Sequence, residues 1–312
     1  VGTGANNEIY SFAKYCNTLF VGGSFATLGG QARSSIGSID LLTGATTSWN
    51  PATDSAVYAL ALSGTTLYVG GNFTIAGGSS RGRLASFDVT TGALNSWNPG
   101  IVGSQINTIV PDGSVIYVGG IFTNVSATSR NNIAAIDSSG NATSWYPAGG
   151  TTGAFPDVNA IEISGSNIYV GGRFSTIGGQ AIPYLAVADR STGIVNASWN
   201  PTSGGTLTSI MSLGVSSSGA LYVGGQYTIF SGACTLPVLA EVNVATGICN
   251  ASFNANILPG GGYMKSIVLN STSMYLGGSF TNSGGSARTN LSGVSTTTGV
   301  DIGWIPNADQ YV

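Results

Sequence analysis

The sequence predicts an all-β protein, a six-bladed β-propeller of four-stranded antiparallel blades that takes in the whole of residues 1–312. Three observations predict it. One unit of about 52 residues recurs six times. Each unit holds short runs in which apolar and polar residues alternate, bounded by Gly, Asn, Asp and Ser. No stretch of useful length has the 3.6-residue period of a helix. Four short strands at a period of 40–50 residues define propeller blades, and a solenoid would need shorter coils.

The repeat is anchored on a glycine pair. Val21-Gly22-Gly23 returns as Val69-Gly70-Gly71, Val118-Gly119-Gly120, Val170-Gly171-Gly172, Val223-Gly224-Gly225 and Leu276-Gly277-Gly278. An aromatic residue precedes each tripeptide: Phe20, Tyr68, Tyr117, Tyr169, Tyr222 and Tyr275. A second aromatic follows two residues later: Phe25, Phe73, Phe122, Phe174, Tyr227 and Phe280. Each unit closes on Trp49, Trp97, Trp145, Trp199, Phe253 or Trp304. The repeat boundaries fall at about 1–49, 50–97, 98–145, 146–199, 200–253 and 254–304, with a tail at 305–312.

In the second unit the four strands are expected at 57–62 (a), 66–73 (b), 83–88 (c) and 93–97 (d). Strand a carries a small residue at one position, read as Ser11, Ala59, Thr108, Ala160, Ser209 and Ser266. Strand c ends on Asp40, Asp88, Asp137, Asp189, Asn243 or Ser295, mostly followed by Thr-Gly. A side-chain acceptor there can take turn N–H groups, and glycine can take the left-handed conformation. The next large aromatic is expected between neighbouring sheets.

The segments from Ser38 to Trp49 and from Val187 to Trp199 resemble the tryptophan-docking motif of quinoprotein propellers. The fuller unit, Leu67-Tyr-Val-Gly-Gly-Asn-Phe73 through Asp88, Thr91-Gly92 and Trp97-Asn-Pro99, is more similar to the delta-60/kelch-like repeats of secreted and cell-surface proteins. The resemblance covers all six units and implies the propeller fold. It carries no activity over, because propellers host many unrelated functions. Quinoproteins use an adjacent cysteine pair, and the three cysteines here are far apart.

Composition removes several function classes. Nine basic and twelve acidic residues in 312 give a net charge of −3, so there is no nucleic-acid footprint. No apolar run is long enough to span a bilayer. Histidine is absent, which removes the usual general base, a Ser-His-Asp triad and a galactose-oxidase-type copper site. Three cysteines are one short of a four-thiolate zinc site. Glycosidases need two converging carboxylates. The innermost strands offer Glu162, with Glu8 just before the first of them. Asp40, Asp88, Asp137 and Asp189 read as turn formers, and Arg33, Arg81, Arg83, Arg130 and Arg288 as solvated or turn-pairing groups rather than the arginine cluster of a sialidase. Tyr146, Phe155 and Tyr263 read as loop aromatics outside the repeat pattern and are candidate ligand contacts. The expectation is a protein with no catalytic, cofactor or metal site.

Seven Asn-x-Ser/Thr sequons lie at Asn72, Asn124, Asn141, Asn196, Asn250, Asn270 and Asn290, about the number this composition yields by chance. The chain starts at Val1, read as a mature secreted chain whose leader has been removed. In an up-down blade Cys16 and Cys249 fall toward one face and Cys234 toward the other. That separation places a Cys234–Cys249 bond out of reach, which leaves free thiols or bonds between subunits.

The two ends match one stretch of the unit. Aligning Trp304 on Trp49 lays 305–312 over 50–57, and aligning the glycine pairs lays 1–9 over 49–57. One closed ring has one place for that stretch. The spare copy either frays or reaches a neighbour, so Asn307, Ala308, Asp309, Gln310, Tyr311 and Val312 are candidate assembly residues. The expected function is a non-enzymatic extracellular structural protein, the self-assembling subunit of a surface layer or filament, whose partners are copies of itself. The alternative is a monomeric secreted or cell-surface module that binds glycan or protein on one propeller face.

Overall fold

The computed structural model describes residues 4–147, 149–154, 156–202, 205–231, 234–258 and 262–306. The chain divides into two compact units, Val1–Gly150 and Thr151–Val312. Both are built from antiparallel sheets, and the described residues contain no helix.

The first unit holds three principal sheets of strands a, b and c. Sheet 1 is Ile9–Tyr15, Thr18–Gly23 and Ile36–Asp40. Sheet 2 is Val57–Ser63, Thr66–Gly71 and Leu84–Asp88. Sheet 3 is Ile101–Asp112, Val115–Val125 and Ile133–Ile136. Strand b is central in each, with a and c antiparallel on either side. Between b and c of sheets 1 and 2 the chain makes a small outer hairpin, Thr27–Leu28 with Gln31–Ala32 and Ile75–Ala76 with Ser79–Ser80.

The glycine pair is a packing requirement. A Cβ on Gly70 would lie 2.7 Å from Ile106 of the next sheet, and one on Gly71 would lie 2.1 Å from the Ala56 carbonyl oxygen of its own. Strand b is thus pressed on one face by the neighbouring sheet and on the other by strand a. Phe20, Trp49, Val57, Leu67, Val69, Phe73 and Phe87 fill the space between sheets 1 and 2. Leu84, Ile106, Ile109, Ile116 and Val118 do the same between sheets 2 and 3.

The second unit repeats the pattern. Sheet 4 is Asp157–Ser164, Asn167–Arg173 and Leu185–Asp189. Sheet 5 is Thr206–Val215, Ala220–Ile229 and Leu239–Asn243. Sheet 6 is Tyr263–Leu269, Ser273–Ser279 and Leu291–Ser295. Buried clusters around Trp199, Ile210 and Val223, and around Phe253, Met264 and Leu276, join neighbouring sheets.

Three expectations are corrected. Strand d is not a strand: the segment after the turn makes single bridges, Ile39↔Thr46, Phe87↔Leu94, Ile136↔Ala142, Ala188↔Val195, Val242↔Cys249 and Val294↔Asp301. On sheets 1 and 2 it leaves strand c because the aromatic residue that follows turns toward the next sheet. Trp49 donates its indole N–H to the Asp88 carbonyl, 3.1 Å away, and Trp97 donates to the Asp137 carbonyl at 3.0 Å. The small residue opposite the first glycine in sheet 5 is Ser212, which pairs with Gly224, and not Ser209, which pairs with Gln226. Register shifts in the longer strand a of this sheet move the pairing. Tyr263 begins strand a of sheet 6 and pairs with Ser279 rather than lying in a loop.

Candidate functional site

The site assembled most completely from sequence is the slot that each sheet offers to the segment leading into its strand a. On sheet 2 this linker runs through Ala52, Thr53 and Asp54. Thr53 bridges Ala76, Gly77 N–H donates to the Ala52 carbonyl at 3.0 Å, and Asp54 N–H donates to the Ile75 carbonyl at 3.1 Å. The Asp54 carboxylate accepts the Thr74 and Ile75 N–H groups at 2.8 and 2.9 Å and the Thr74 hydroxyl at 2.5 Å. Burial pushes the Asp54 carboxyl up, but the Thr74 hydroxyl and the Ile75 and Thr74 N–H groups outweigh it and hold it below the ordinary value.

On sheet 1 the N-terminal segment occupies the equivalent slot. Ala5 bridges Leu28, Gly29 N–H donates to the Gly4 carbonyl at 3.1 Å, and Asn6 N–H donates to the Thr27 carbonyl at 3.2 Å. The Asn6 side-chain oxygen accepts the Ala26 and Thr27 N–H groups, both at 2.9 Å. Asn6 therefore stands where Asp54 stands, one sheet earlier. Ala26 replaces Thr74, so the hydroxyl donor of sheet 2 has no counterpart on sheet 1. In the other unit Leu258 bridges Asn282 on sheet 6 in the same way. Sheet 6 ends on Trp304 and Ile305, which are 40% and 70% exposed, whereas Trp49 is 7% exposed. Residues 307–312, and with them Asn307, Ala308, Asp309, Gln310, Tyr311 and Val312, lie outside the described residues.

The cysteine expectation is corrected. Cys234 and Cys249 form a disulfide within the chain, with Cα atoms 6.2 Å apart, so neither is free or bonded to another subunit; Cys16 is free and exposed. The reading assumed that the b–c connection stays at the far end of strand c. Instead it folds back along the outer edge of the sheet. On sheet 1 this brings Leu28 against Thr46, whose hydroxyl donates to the Leu28 carbonyl at 2.9 Å. On sheet 5, Cys234 bridges Ser231 while Cys249, the counterpart of Thr46, bridges Val242. The outer hairpin meets the post-turn segment there, and a bond replaces the hydroxyl contact.

The arginine series closes the same edge. Arg33, Arg81 and Arg130 each donate to the preceding residue's carbonyl and to one across the edge, those of Thr47, Asn95 and Thr143. Arg288 donates to the Ala287 carbonyl and pairs with Asp301. Arg83 instead ties sheet 2 to the Gly103 carbonyl of sheet 3 at 3.0 Å. The turn carboxylates behave as turn formers. Asp40 accepts the Leu42 and Thr43 N–H groups and the Thr43 hydroxyl, and these bonds, led by the Thr43 N–H, lower its pKa. The Ser191 hydroxyl, followed by the Thr192 hydroxyl and N–H, brings Asp189 down to about 2. Asp88 accepts the same set from Thr90 and Thr91, and Asp137 accepts from Ser139 and Asn141.

The remaining candidates are dispersed. Glu162 lies on strand a of sheet 4, where burial raises its pKa against a bond from the Val215 N–H. Glu8 accepts the Tyr10 hydroxyl. Tyr146 lies under the Arg130 guanidinium, 4.5 Å from ring centre, and its hydroxyl accepts the Asn131 N–H. Phe155 lies outside the described residues. Asn141, Asn196, Asn250 and Asn270 are exposed outside the strands, and Asn124 is half-buried in strand b of sheet 3. Asn72 is half-buried with its side-chain oxygen enclosed. Asn290 is buried at φ 64°, so its amide is not open to a glycan in the folded protein, a correction to that sequon. Among the described residues no group of three His, Cys, Asp or Glu could hold a metal, and no helix is long and apolar enough to cross a membrane.

No protein-family model matches the chain, and no curated protein matches it. Solved structures do. A computationally designed protein, Ika8, is similar with a TM-score of 0.57 at 12% identity, over 96% of this chain and 87% of that one. A chain of the mitotic checkpoint complex is similar with a TM-score of 0.59 at 16% identity, over 95% of this chain and 76% of that one. At these identities the likeness concerns fold alone: an all-β architecture of antiparallel sheets, consistent with a β-propeller.

Proposed function

We propose that the six sheets are the blades of one six-bladed propeller and that the protein is a non-enzymatic, extracellular structural subunit that assembles with copies of itself into a filament or surface layer. The observation that carries this reading is the seating of Gly4, Ala5 and Asn6 in the slot of sheet 1. The stretch that leads into strand a recurs once more at 305–312, after sheet 6. A repeated strand-like segment is the means by which one propeller can add backbone pairing to another, and the contact, being heterologous, propagates.

Two further features support it. Only 21 of 312 residues are charged, so little repulsion opposes packing of like on like. The Cys234–Cys249 bond fits an oxidising, extracellular setting. The edge arginines are engaged by backbone carbonyls and Asp301, which leaves them poorly suited to recognising an anionic glycan.

Electron microscopy and light scattering of the 312-residue chain across a concentration series test the reading. Regular polymers are expected. A monodisperse monomer at every concentration overturns it.

A further inference from the structure

The slots of sheets 1 and 2 differ in the residue that grips them. Asp54 presents a carboxylate to two backbone N–H groups and a hydroxyl, whereas Asn6 presents a neutral amide oxygen to two N–H groups. An ionised acceptor makes shorter and stronger hydrogen bonds to N–H donors than a neutral one. Of these two, sheet 1 is thus held by the weaker grip.

The recurring segment at 305–312 carries the residue of the stronger one. In the Trp304-on-Trp49 alignment, Pro306 falls on Pro51, Asp309 on Asp54 and Val312 on Val57. Val57 is fully buried and Asp54 is the anchor of its slot, so the segment repeats the positions that seat the linker on sheet 2. Ile9, at the Val57 position of sheet 1, is 37% exposed.

Building on the self-assembly reading, we propose that residues 305–312 of one copy dock on sheet 1 of a second copy in place of residues 4–8, with Asp309 accepting the Ala26 and Thr27 N–H groups that Asn6 holds. The exchange keeps every backbone pairing of the slot and trades an amide acceptor for a carboxylate. Residues 4–8 are released at the contact, so they regulate assembly by competing for it.

The test uses the full chain and a fluorescent synthetic peptide of residues 304–312. Anisotropy is expected to show the peptide binding the chain, with about tenfold weaker binding for an Asp309→Ala peptide and about tenfold tighter binding to the Asn6→Ala chain, since a charged hydrogen bond contributes on that order. Hydrogen exchange read by mass spectrometry is expected to show 4–8 losing protection on peptide binding while 24–28 keep theirs. In the whole chain, Asp309→Ala is expected to abolish polymers and Asn6→Ala to lower the concentration at which they form. Polymers that survive Asp309→Ala and respond to neither variant overturn the slot assignment and leave self-assembly standing. Peptide binding with 4–8 still protected also overturns the assignment. A chain that never polymerises overturns the self-assembly reading and the exchange with it.

Discussion

The indole of Trp49 lies against Gly92 of the following repeat: a Cβ on that glycine, at φ 72°, would sit 3.2 Å from the ring. The same indole donates to the Asp88 carbonyl and packs edge-on against Phe20 and Phe87, with ring centres at 4.8 and 6.2 Å. One side chain thus joins two sheets by packing and by a hydrogen bond. Sheet 5 has Phe253 at this position, 2% exposed and 5.4 Å from Tyr222, which shows that the packing can stand without the N–H. Trp49→Ala is expected to cost about 3–5 kcal/mol and Trp49→Phe about 1–2 kcal/mol. Denaturant unfolding measures both, and equal costs would mean that the hydrogen bond, not the packing, joins the sheets.

Asp189 couples the fourth sheet's turn to pH. Its folded pKa, about 2, lies below the unfolded value, so the unfolded chain binds more protons between about pH 4 and 2. The contribution is complete above about pH 4 and is lost as the pH falls toward 2. Asp40, Asp88 and Asp54 are lowered too and act in the same direction. Asn243 accepts the Ala245 and Thr246 N–H groups and the Thr246 hydroxyl in the corresponding turn, without a titrating group. Asp189→Asn is therefore expected to fold and to flatten the loss of melting temperature between pH 4 and 2. An unchanged slope would show that this turn does not contribute to acid sensitivity.

Glu162 acts with the opposite sign. Burial raises its folded pKa, so the folded chain holds its proton longer and stability falls as the pH rises from the unfolded value through the folded one. Glu162→Gln keeps an acceptor for the Val215 N–H and removes the buried charge. The variant is expected to melt higher than the parent at neutral pH and no higher at pH 3, where both side chains are neutral. A melting-temperature gain that persists undiminished at pH 3 would point to packing rather than ionisation.

The Cys234–Cys249 bond closes a separation of 15 residues on the outer edge of sheet 5. Replacing both cysteines with serine is expected to cost about 3 kcal/mol in the chain-entropy picture. Non-reducing gels should show no covalent dimer through these residues. A maleimide should label one cysteine per native chain, Cys16, and labelling of three would mean the bond is absent.

Much of this architecture is legible in the residues, because a glycine pair, a turn acceptor and a terminal aromatic each solve one steric or polar problem and recur with it. Gly71 announces the close approach of Ala56, and Asp88 announces its turn. The outer hairpin was not legible in the same way. Gly29 and Gly30 mark a turn, but nothing local says that the turn folds back onto Thr46, and the Cys234–Cys249 pairing depends on that fold-back. The slot was half legible. Repeat alignment places both termini on one stretch of unit, but only the hydrogen bonds of Asn6 show which of them holds sheet 1.

A second feature left no glycine to find it by. The residue before strand c is left-handed in every sheet, and never glycine: Ser35, Arg83, Asn132, Tyr184, Val238 and Asn290 have φ between 54° and 65°. The reason is a paired demand on one residue. Each gives its carbonyl to the second glycine of strand b and its N–H to the carbonyl of the aromatic two residues beyond, as Asn132 does with Gly120 at 3.0 Å and Phe122 at 3.0 Å. Asn132 adds a third bond, its side-chain oxygen accepting the Phe122 N–H at 3.0 Å. Asparagine adopts this backbone region at a lower cost than alanine. Asn132→Ala is therefore expected to cost about 2–4 kcal/mol, the lost hydrogen bond plus left-handed strain. Asn132→Gly loses the bond but relieves the strain, and is expected to cost about 1 kcal/mol. That order, glycine better tolerated than alanine inside a β-sheet protein, reverses the usual one, and urea unfolding of the two variants reads it directly. Alanine at or above glycine would mean that the backbone shifts out of the left-handed region when the amide is removed.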